Sequence, residues 1–548
     1  MRALQPSLHA DSFTRDHLPP REQWPAMDAA AVPELAAYPA RMNAAAELLD
    51  SWVEGGGGER PCYIIDGETW SYARLRETAN RIANLLTGEL GVEPGERVLL
   101  RGPNNPMFVA CWFAVLKAGA VAVATMPLLR ARELQYICNR AEVRYALCDV
   151  RLDAEMKKTL PGAERLARVV YYDGRGGAAL DGAVARMPAD FDNVATSSDD
   201  VAIIAFTSGT TGSPKGCMHF HRDIMAICDT FSRYVLQPHA DDVFLGSPPI
   251  AFTFGLGALV AFPMHAGAAT VLVEKATPEL LLETIQRHGV STLFTAPTMY
   301  RALLGAIEGY DISTLDKCVS AGETLPKPTF EAWERATGIR IIDGLGSTEM
   351  LHIFVSAAGD HIRPGATGVA IPGYEARVVD DDGQEVPPGT VGRLSVRGPT
   401  GCRYLDDPEN QARYASGGWN YPGDAYLRDE DGYFWFQARA DDMIVSAGYN
   451  ISGPEVEEVL LEHRGVAECG VVASPDAERG FIVKAFVVPR EGDGSEALAR
   501  ELQDFVKAEM APYKYPRAIE FVAELPRTET GKLQRFRLRQ RELERAAR

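Results

Sequence analysis

The sequence predicts an α/β fold: a large N-terminal body of two packed, helix-covered sheets, a β subdomain, and a small α+β C-terminal domain. Three observations carry this. Between residues 97 and 307, short apolar runs alternate with helical stretches, the pattern of right-handed crossovers onto mostly parallel sheets. After about Gly373 the texture changes to short strands separated by Asp-Gly turns. The last ~110 residues return to a mixed pattern, long enough for an independent small domain.

The elements follow in order. Residues 1–40 carry Pro19, Pro20, Pro25, Pro33 and Pro39 and read as an extended arm over a surface. A helix is expected over 40–54, ended by the run Gly55-Gly56-Gly57-Gly58. Tyr63-Ile64-Ile65, Asp66-Gly67 and Thr69-Trp70-Ser71-Tyr72 read as a hairpin. Strands at 98–100, 120–125, 145–147 and 168–172 alternate with helices at 106–117 and 131–141. A Gly/Ala-rich connection over 174–198 leads to a second block, with strands at 201–206, 269–274 and 292–295 and helices near 221–234, 278–288 and 297–307. Two such blocks imply two sheets. The β subdomain spans about 374–440, with strands at 375–379, 392–397 and 433–437. Beyond it come a helix at 454–462, strands at 470–473 and 483–488, and a helix at 495–510. The domains are therefore 1–440 and 441–548. No tandem repeat is present.

Length and charge bound the function. At 548 residues the chain exceeds one core and suggests about three or four domains or subdomains. With 56 Lys and Arg against 75 Asp and Glu, the net charge is -19, which argues against non-specific binding to nucleic acid or an anionic membrane surface. Any anionic ligand then needs a local site. Nine cysteines, scattered and without metal-ligand spacing, favour reduced thiols and a cytoplasmic setting. No signal peptide is read in residues 1–24, and no run approaches the ~18 apolar residues of a membrane span.

The most informative stretch follows the apolar run 201–206: Thr207-Ser208-Gly209-Thr210-Thr211-Gly212-Ser213-Pro214-Lys215-Gly216. Glycines let successive amide N–H groups turn inward into an anion-binding concavity; the hydroxyls and Lys215 add donors. The P-loop of nucleoside triphosphatases needs Gly before the lysine and Ser or Thr after it, whereas Pro214 precedes and Gly216 follows Lys215. A Gly/Ser/Thr linker is the competing reading.

Five further stretches are ambiguous singly. In Gly344-Leu345-Gly346-Ser347-Thr348-Glu349 the Thr-Glu pair suits a helix N-cap with a first-turn acid. Asp424 in Tyr421-Pro422-Gly423-Asp424 suits a turn. Arg439 and Asp441 suit a surface pair, and Lys532 in Pro526-Arg527-Thr528-Glu529-Thr530-Gly531-Lys532 a solvated turn. Ser320-Ala321-Gly322-Glu323-Thr324-Leu325-Pro326 is the fifth.

Taken together and in order, these stretches resemble the adenylate-forming superfamily of acyl-CoA synthetases, peptide-synthetase adenylation domains and luciferases, over about residues 40–540. The resemblance implies that Thr207, Ser208, Gly209, Thr210, Thr211 and Gly212, assisted by Lys215, hold the phosphates of ATP. It implies that Thr348 contacts the α-phosphate, that Glu349 holds Mg²⁺, and that Gly322 and Glu323 lie against adenine. Asp424 and Arg439 would reach the ribose; Pro422 departs from the usual Tyr-x-Thr-Gly-Asp, and Ala438 replaces a usual glycine. Asp441 would be the hinge of a mobile C-terminal domain, Gly448 would open the tunnel for coenzyme A, and Lys532 would bridge the carboxylate and α-phosphate.

Pro249-Ile250-Ala251-Phe252-Thr253-Phe254-Gly255-Leu256-Gly257 and Gly346 to Phe354 look like benzoate-type CoA ligases, and Asp11 to Pro20 looks like 2-aminobenzoate-CoA ligases. Thr253, Phe254 and His352 are then the acid-pocket residues. Phe252 and Phe254, two apart, would share one face of a strand, with Phe252 read as core. The implied function is an ATP- and Mg²⁺-dependent ligase joining 2-aminobenzoate or benzoate to coenzyme A. Loading of a carrier-protein phosphopantetheine and a non-catalytic nucleotide-binding protein are the alternatives; the sequence leaves a homodimer open.

Overall fold

The computed structural model describes residues 4–27, 32–65, 67–173, 179–207, 214–323, 325–380, 382–439, 443–526, 533 and 535–546, with backbone only at 437–439, 443, 450, 452, 454, 458 and 536. Two compact units result. One comprises Met1–Pro127, Cys138–Phe206 and Gly216–Ala438; the other comprises Leu128–Ile137, Thr207–Lys215 and Arg439–Arg548.

Local chemistry explains the helices. Asn105 accepts from the N–H of Phe108 at 2.9 Å and Pro106 occupies the first turn of Pro106–Lys117, a helix buried at all its residues. Thr277 caps Pro278–His288, which ends on Gly289 at φ 63°. Such signals are local and legible.

In the first unit, one six-stranded sheet runs Arg168–Tyr172, Tyr145–Asp149, Arg97–Arg101, Val121–Thr125, Val201–Thr207, Lys215–Phe220. A nine-stranded sheet runs Val369–Ala370, Ile353–Ser356, Ile341–Gly346, Lys317–Ala321, Thr292–Thr295, Val243–Gly246, Ala269–Val271, Pro61–Ile65, Glu68–Ser71. Its interior is parallel and its edges antiparallel. The expected pairing of sequence blocks with sheets is corrected here. Val201–Thr207 joins the first sheet, with Ala122 opposite Ile203, and the early hairpin joins the second, with Tyr63 opposite Thr270. Alternation along the chain reports crossovers, not which sheet edge a strand reaches.

The arm is also corrected: it contains helical turns at Phe13–Asp16, Arg21–Gln23 and Pro33–Ala36 and buries Trp24, Val32 and Leu35. The helix expected from 40 starts at Ala44, where Asn43 accepts from the N–H of Ala45 at 3.0 Å. A smaller sheet contains Glu375–Val379, Val391–Arg397, Ala415–Ser416, Trp419–Asn420, Asp424–Arg428 and Phe434–Arg439.

In the second unit, the hairpin Met443–Ser446/Tyr449–Ser452 and the three-stranded sheet Val466–Asp476, Gly480–Pro489, Ala518–Phe521 accompany helices Gly453–Glu462, Glu496–Glu509 and Arg535–Ala546. All nine cysteines are buried, and none is joined in a disulfide. Among the described residues no helix is long and apolar enough to cross a membrane.

Candidate active site

The consecutive parallel strands Val243–Gly246, Thr292–Thr295, Lys317–Ala321 and Ile341–Gly346 all end at one edge of the nine-stranded sheet. Ligands of open α/β sheets bind outside such carboxyl ends. The chain leaving this edge carries Thr253 and Phe254 after the first strand, Gly322 and Glu323 after the third, and Thr348, Glu349 and His352 after the fourth. Topology thus gathers residues spread over a hundred positions.

The segment after Ile341–Gly346 is a turn, not the start of a helix, and buried side chains pin it residue by residue. The Ser347 hydroxyl lies 2.9 Å from that of Tyr414, and the Thr348 carbonyl is 2.8 Å from His219 Nε2. Tyr404 donates to Glu349 Oε1 at 2.5 Å, and Thr400 donates to the Met350 carbonyl at 2.7 Å. Leu351 takes φ 69°, a left-handed conformation uncommon for a branched residue. Glu349 is buried and, among the described residues, pairs with no cation.

His219 is held in turn, with Nδ1 3.8 Å from Asp223 Oδ2. Although burial alone would raise it, the Arg403 guanidinium, with His219 and Arg222 nearby, takes the Asp223 carboxyl down to about 2. Arg403 also donates to the Met218 carbonyl at 3.1 Å and lies over Phe220 at 4.0 Å.

An aromatic box surrounds His352. Its ring centroid is 4.6 Å from Phe262, edge to face, 5.4 Å from Phe231 and 5.8 Å from Phe254. Neither ring nitrogen has a hydrogen bond of good geometry among the described residues. Burial lowers the imidazole to about 3, against a smaller opposing pull from the Phe254 backbone, so it stays neutral. Thr253–Leu256 is a helical turn capped by Phe252, which corrects the shared strand face expected for Phe252 and Phe254. Its glycines are required by close approach: a β-carbon at Gly255 would sit 2.0 Å from the Pro249 carbonyl oxygen, and one at Gly257 2.4 Å from His352 Cδ2.

The other expected site residues are carried by other elements. Thr207 and Lys215, both half-buried, end one strand and begin the next of the six-stranded sheet. Asp424, buried, opens Asp424–Arg428 in the smaller sheet behind Gly423 at φ 86°. Arg439 ends the strand Phe434–Arg439, its side chain outside the description, and Gly448, at φ 83°, lies in the turn between Met443–Ser446 and Tyr449–Ser452. Ser208, Gly209, Thr210, Thr211, Gly212, Asp441 and Lys532 lie outside the described residues.

Three neighbours of the site were not legible as such. His219 and Tyr404 reveal themselves only through tertiary contacts. Asp343, at the end of Ile341-Ile342-Asp343, was visible as a lone acid in an apolar strand. Burial pushes its carboxyl up to about 8, beside a narrow cavity lined by Leu325, Phe330, Arg363 and Thr367.

A family model for the AMP-binding enzyme matches residues 49–403, and one for the AMP-binding enzyme C-terminal domain matches 455–532. A benzoate–CoA ligase of Thauera aromatica is 35% identical over 509 residues, 91% of this chain and 96% of the relative. The crystal structure of the anthranilate CoA ligase AuaEII with anthranoyl-AMP has TM-score 0.72 at 34% identity, over 94% of this chain and 99% of that one. The amide bond synthetase McbA from Marinactinospora thermotolerans has TM-score 0.82 at 28% identity, over 91% and 99%.

Proposed function

The chain belongs to the AMP-binding enzyme family, and from that premise we propose that it is an ATP-dependent aryl-acid CoA ligase, acting on 2-aminobenzoate or benzoate. The observation that carries the choice of acid is the box of Phe254, Phe231 and Phe262 around a neutral His352 whose ring nitrogens have no hydrogen bond of good geometry among the described residues. A flat ring suits such apolar walls, and an imidazole that can donate or accept suits a polar substituent.

The chemistry is set by charge. The acid's carboxylate oxygen attacks the α-phosphorus of ATP, pyrophosphate leaves, and an acyl-adenylate forms. The thiol of coenzyme A then attacks the acyl carbonyl, AMP leaves, and the thioester remains. Both partners of the first step are anionic, so donors must neutralise and align them. We assign Thr348 and Lys532 to the α-phosphate, Thr207 to Gly212 with Lys215 to the departing phosphates, Gly322 and Glu323 to adenine, and Asp424 and Arg439 to the ribose. Glu349 suits Mg²⁺: one buried carboxylate without a cationic partner among the described residues matches an ion that keeps its remaining ligands from phosphate and water. That ion supplies charge neutralisation at the phosphates.

The residues 441–548 then form a mobile domain turning about Asp441, which exchanges Lys532 for Gly448 between the two steps. A cytoplasmic setting suits nine free cysteines. Acid-dependent pyrophosphate release across a panel of benzoates and aliphatic acids tests the reading, with product mass recorded. Release with 2-aminobenzoate or benzoate and a CoA thioester is expected; no response to any benzoate refutes it. The likeness to an amide bond synthetase makes an amine the competing acceptor, so the panel is run with coenzyme A and with a primary amine.

A further inference from the structure

We propose that Tyr404 is a positioning residue for Glu349, committing one carboxylate oxygen to the protein so that the other is presented to the divalent cation carried by ATP. This rests on the reading of Glu349 as the cation-facing carboxylate.

The bond itself is short, 2.5 Å from the phenol to Oε1, and both residues are buried. A hydroxyl donating to a carboxylate is charge-assisted, hence directional. It also leaves the carboxylate's charge intact. An arginine or lysine in its place would neutralise that charge and compete with the cation, whereas a neutral phenol only fixes the rotamer.

Tyr404 has little freedom of its own. Its backbone pairs with Cys217, and its ring meets Tyr414 edge to face at 5.9 Å, in a cluster with buried Cys217 and Cys402. Its N–H donates to Gln411 Oε1 at 2.9 Å, and the amide of fully buried Gln411 reaches the carbonyls of Cys402 at 3.1 Å and Gln23 at 3.0 Å. The N-terminal arm therefore braces the carboxylate through Gln411 and Tyr404. Tyr414, the ring partner, bonds Ser347 in the same turn. Two tyrosines thus hold two of the three residues Ser347-Thr348-Glu349, and His219 holds the carbonyl of the third. Orienting partners of this kind are typically worth about 10- to 100-fold in metal affinity.

The test uses the full chain as Tyr404→Phe, Glu349→Gln and the double variant. The half-saturating Mg²⁺ for pyrophosphate release is measured at saturating ATP and benzoate. Mn²⁺ affinity with a non-hydrolysable ATP analogue is measured by electron paramagnetic resonance, without turnover. Tyr404→Phe is expected to weaken both by about tenfold, and to add nothing in the Glu349→Gln background. Wild-type metal dependence in Tyr404→Phe, or an undiminished effect in the double variant, overturns the proposal. If Glu349→Gln itself leaves metal dependence at the wild-type value, the reading of Glu349 fails as well. Should Tyr404→Phe not fold, Gln411→Ala carries the test: a shift of about two- to threefold in the same direction supports the brace, and none overturns it.

Discussion

Replacing Gly257 with alanine tests the aromatic box directly. The new β-carbon would lie 2.4 Å from His352 Cδ2, 2.5 Å from its Nε2 and 3.0 Å from Phe262 Cζ. Carbon contacts are comfortable at ~3.5–4.0 Å, so His352 must move. It cannot move alone, because Phe231, Phe254 and Phe262 surround it. Overpacking of this kind costs ~1–3 kcal/mol. If the acid's ring binds against this box, the displaced imidazole takes part of the ring's space and the cost falls on acid binding. At ~1.4 kcal/mol per factor of ten, that is about a 5- to 150-fold loss of kcat/KM for benzoate and 2-aminobenzoate. The assay varies acid at saturating ATP and coenzyme A, then ATP at saturating acid, following pyrophosphate release. KM for ATP should stay within about twofold, since the change is in the acid box. An acid kcat/KM within about twofold of wild type would refute the reasoning, as would a loss confined to ATP.

Three further outcomes follow from burial and charge. His352 and His221 are both lowered to about 3 by burial; with folded values below the unfolded one, each contributes stability present above pH ~6.5 and lost as pH falls toward 3. His352→Leu should therefore flatten the pH dependence of stability in that window by up to ~1.4 kcal/mol per pH unit, and an unchanged slope in denaturant titrations refutes it. Asp343 is shifted the other way, up to about 8; a carboxyl that must ionise in a buried place loses stability as pH rises from ~4 to 8, so Asp343→Asn should gain in thermal midpoint over wild type at about pH 8.5, by a margin that shrinks steadily as pH falls toward ~4. A gap that does not change with pH refutes this. Arg403 and Asp223 pair with no side-chain exposure on either, so Arg403→Leu, which strands the carboxylate, should cost ~3–5 kcal/mol in denaturant titration, and a cost under about 1 kcal/mol counts against the buried pair.

What the sequence made legible was whatever is local. Pro106–Lys117 and Pro278–His288 fall where their caps and prolines put them. Strands such as Ile341–Gly346 and Lys317–Ala321 escaped because Asp343, Gly344, Ser320 and Lys317 interrupt their apolar runs. Lys317 opens its strand and pairs with Asp242 at 2.9 Å, whereas Ser320, Asp343 and Gly344 lie toward the carboxyl ends of their strands. The same holds for Phe252 and Phe254: a period of two was visible, but the helical turn depends on Gly255 passing the Pro249 carbonyl, a tertiary fact. His219 and Tyr404 carry no spacing signal, since they approach Thr348 and Glu349 across 129 and 55 positions.

The chain's charge of -19 makes the design of the site less arbitrary than its motifs suggest. Three anionic ligands, the acid, ATP and coenzyme A, must enter a protein that repels them at long range, and Glu349 is one more buried carboxylate. On the reading proposed for Glu349, a cation accompanying the phosphates would offset that charge, and the carboxylate oxygen would have to be held where the cation arrives. A flexible carboxylate would instead point at whichever donor was nearest and would have to be reoriented at each turnover. Four side chains hold the turn instead: Tyr414 bonds the Ser347 hydroxyl, His219 the Thr348 carbonyl, Tyr404 donates to Glu349 and Thr400 donates to the Met350 carbonyl. On the reading proposed for Glu349, recognition of the metal-bound nucleotide and rigidity of its receptor would be supplied by different residues.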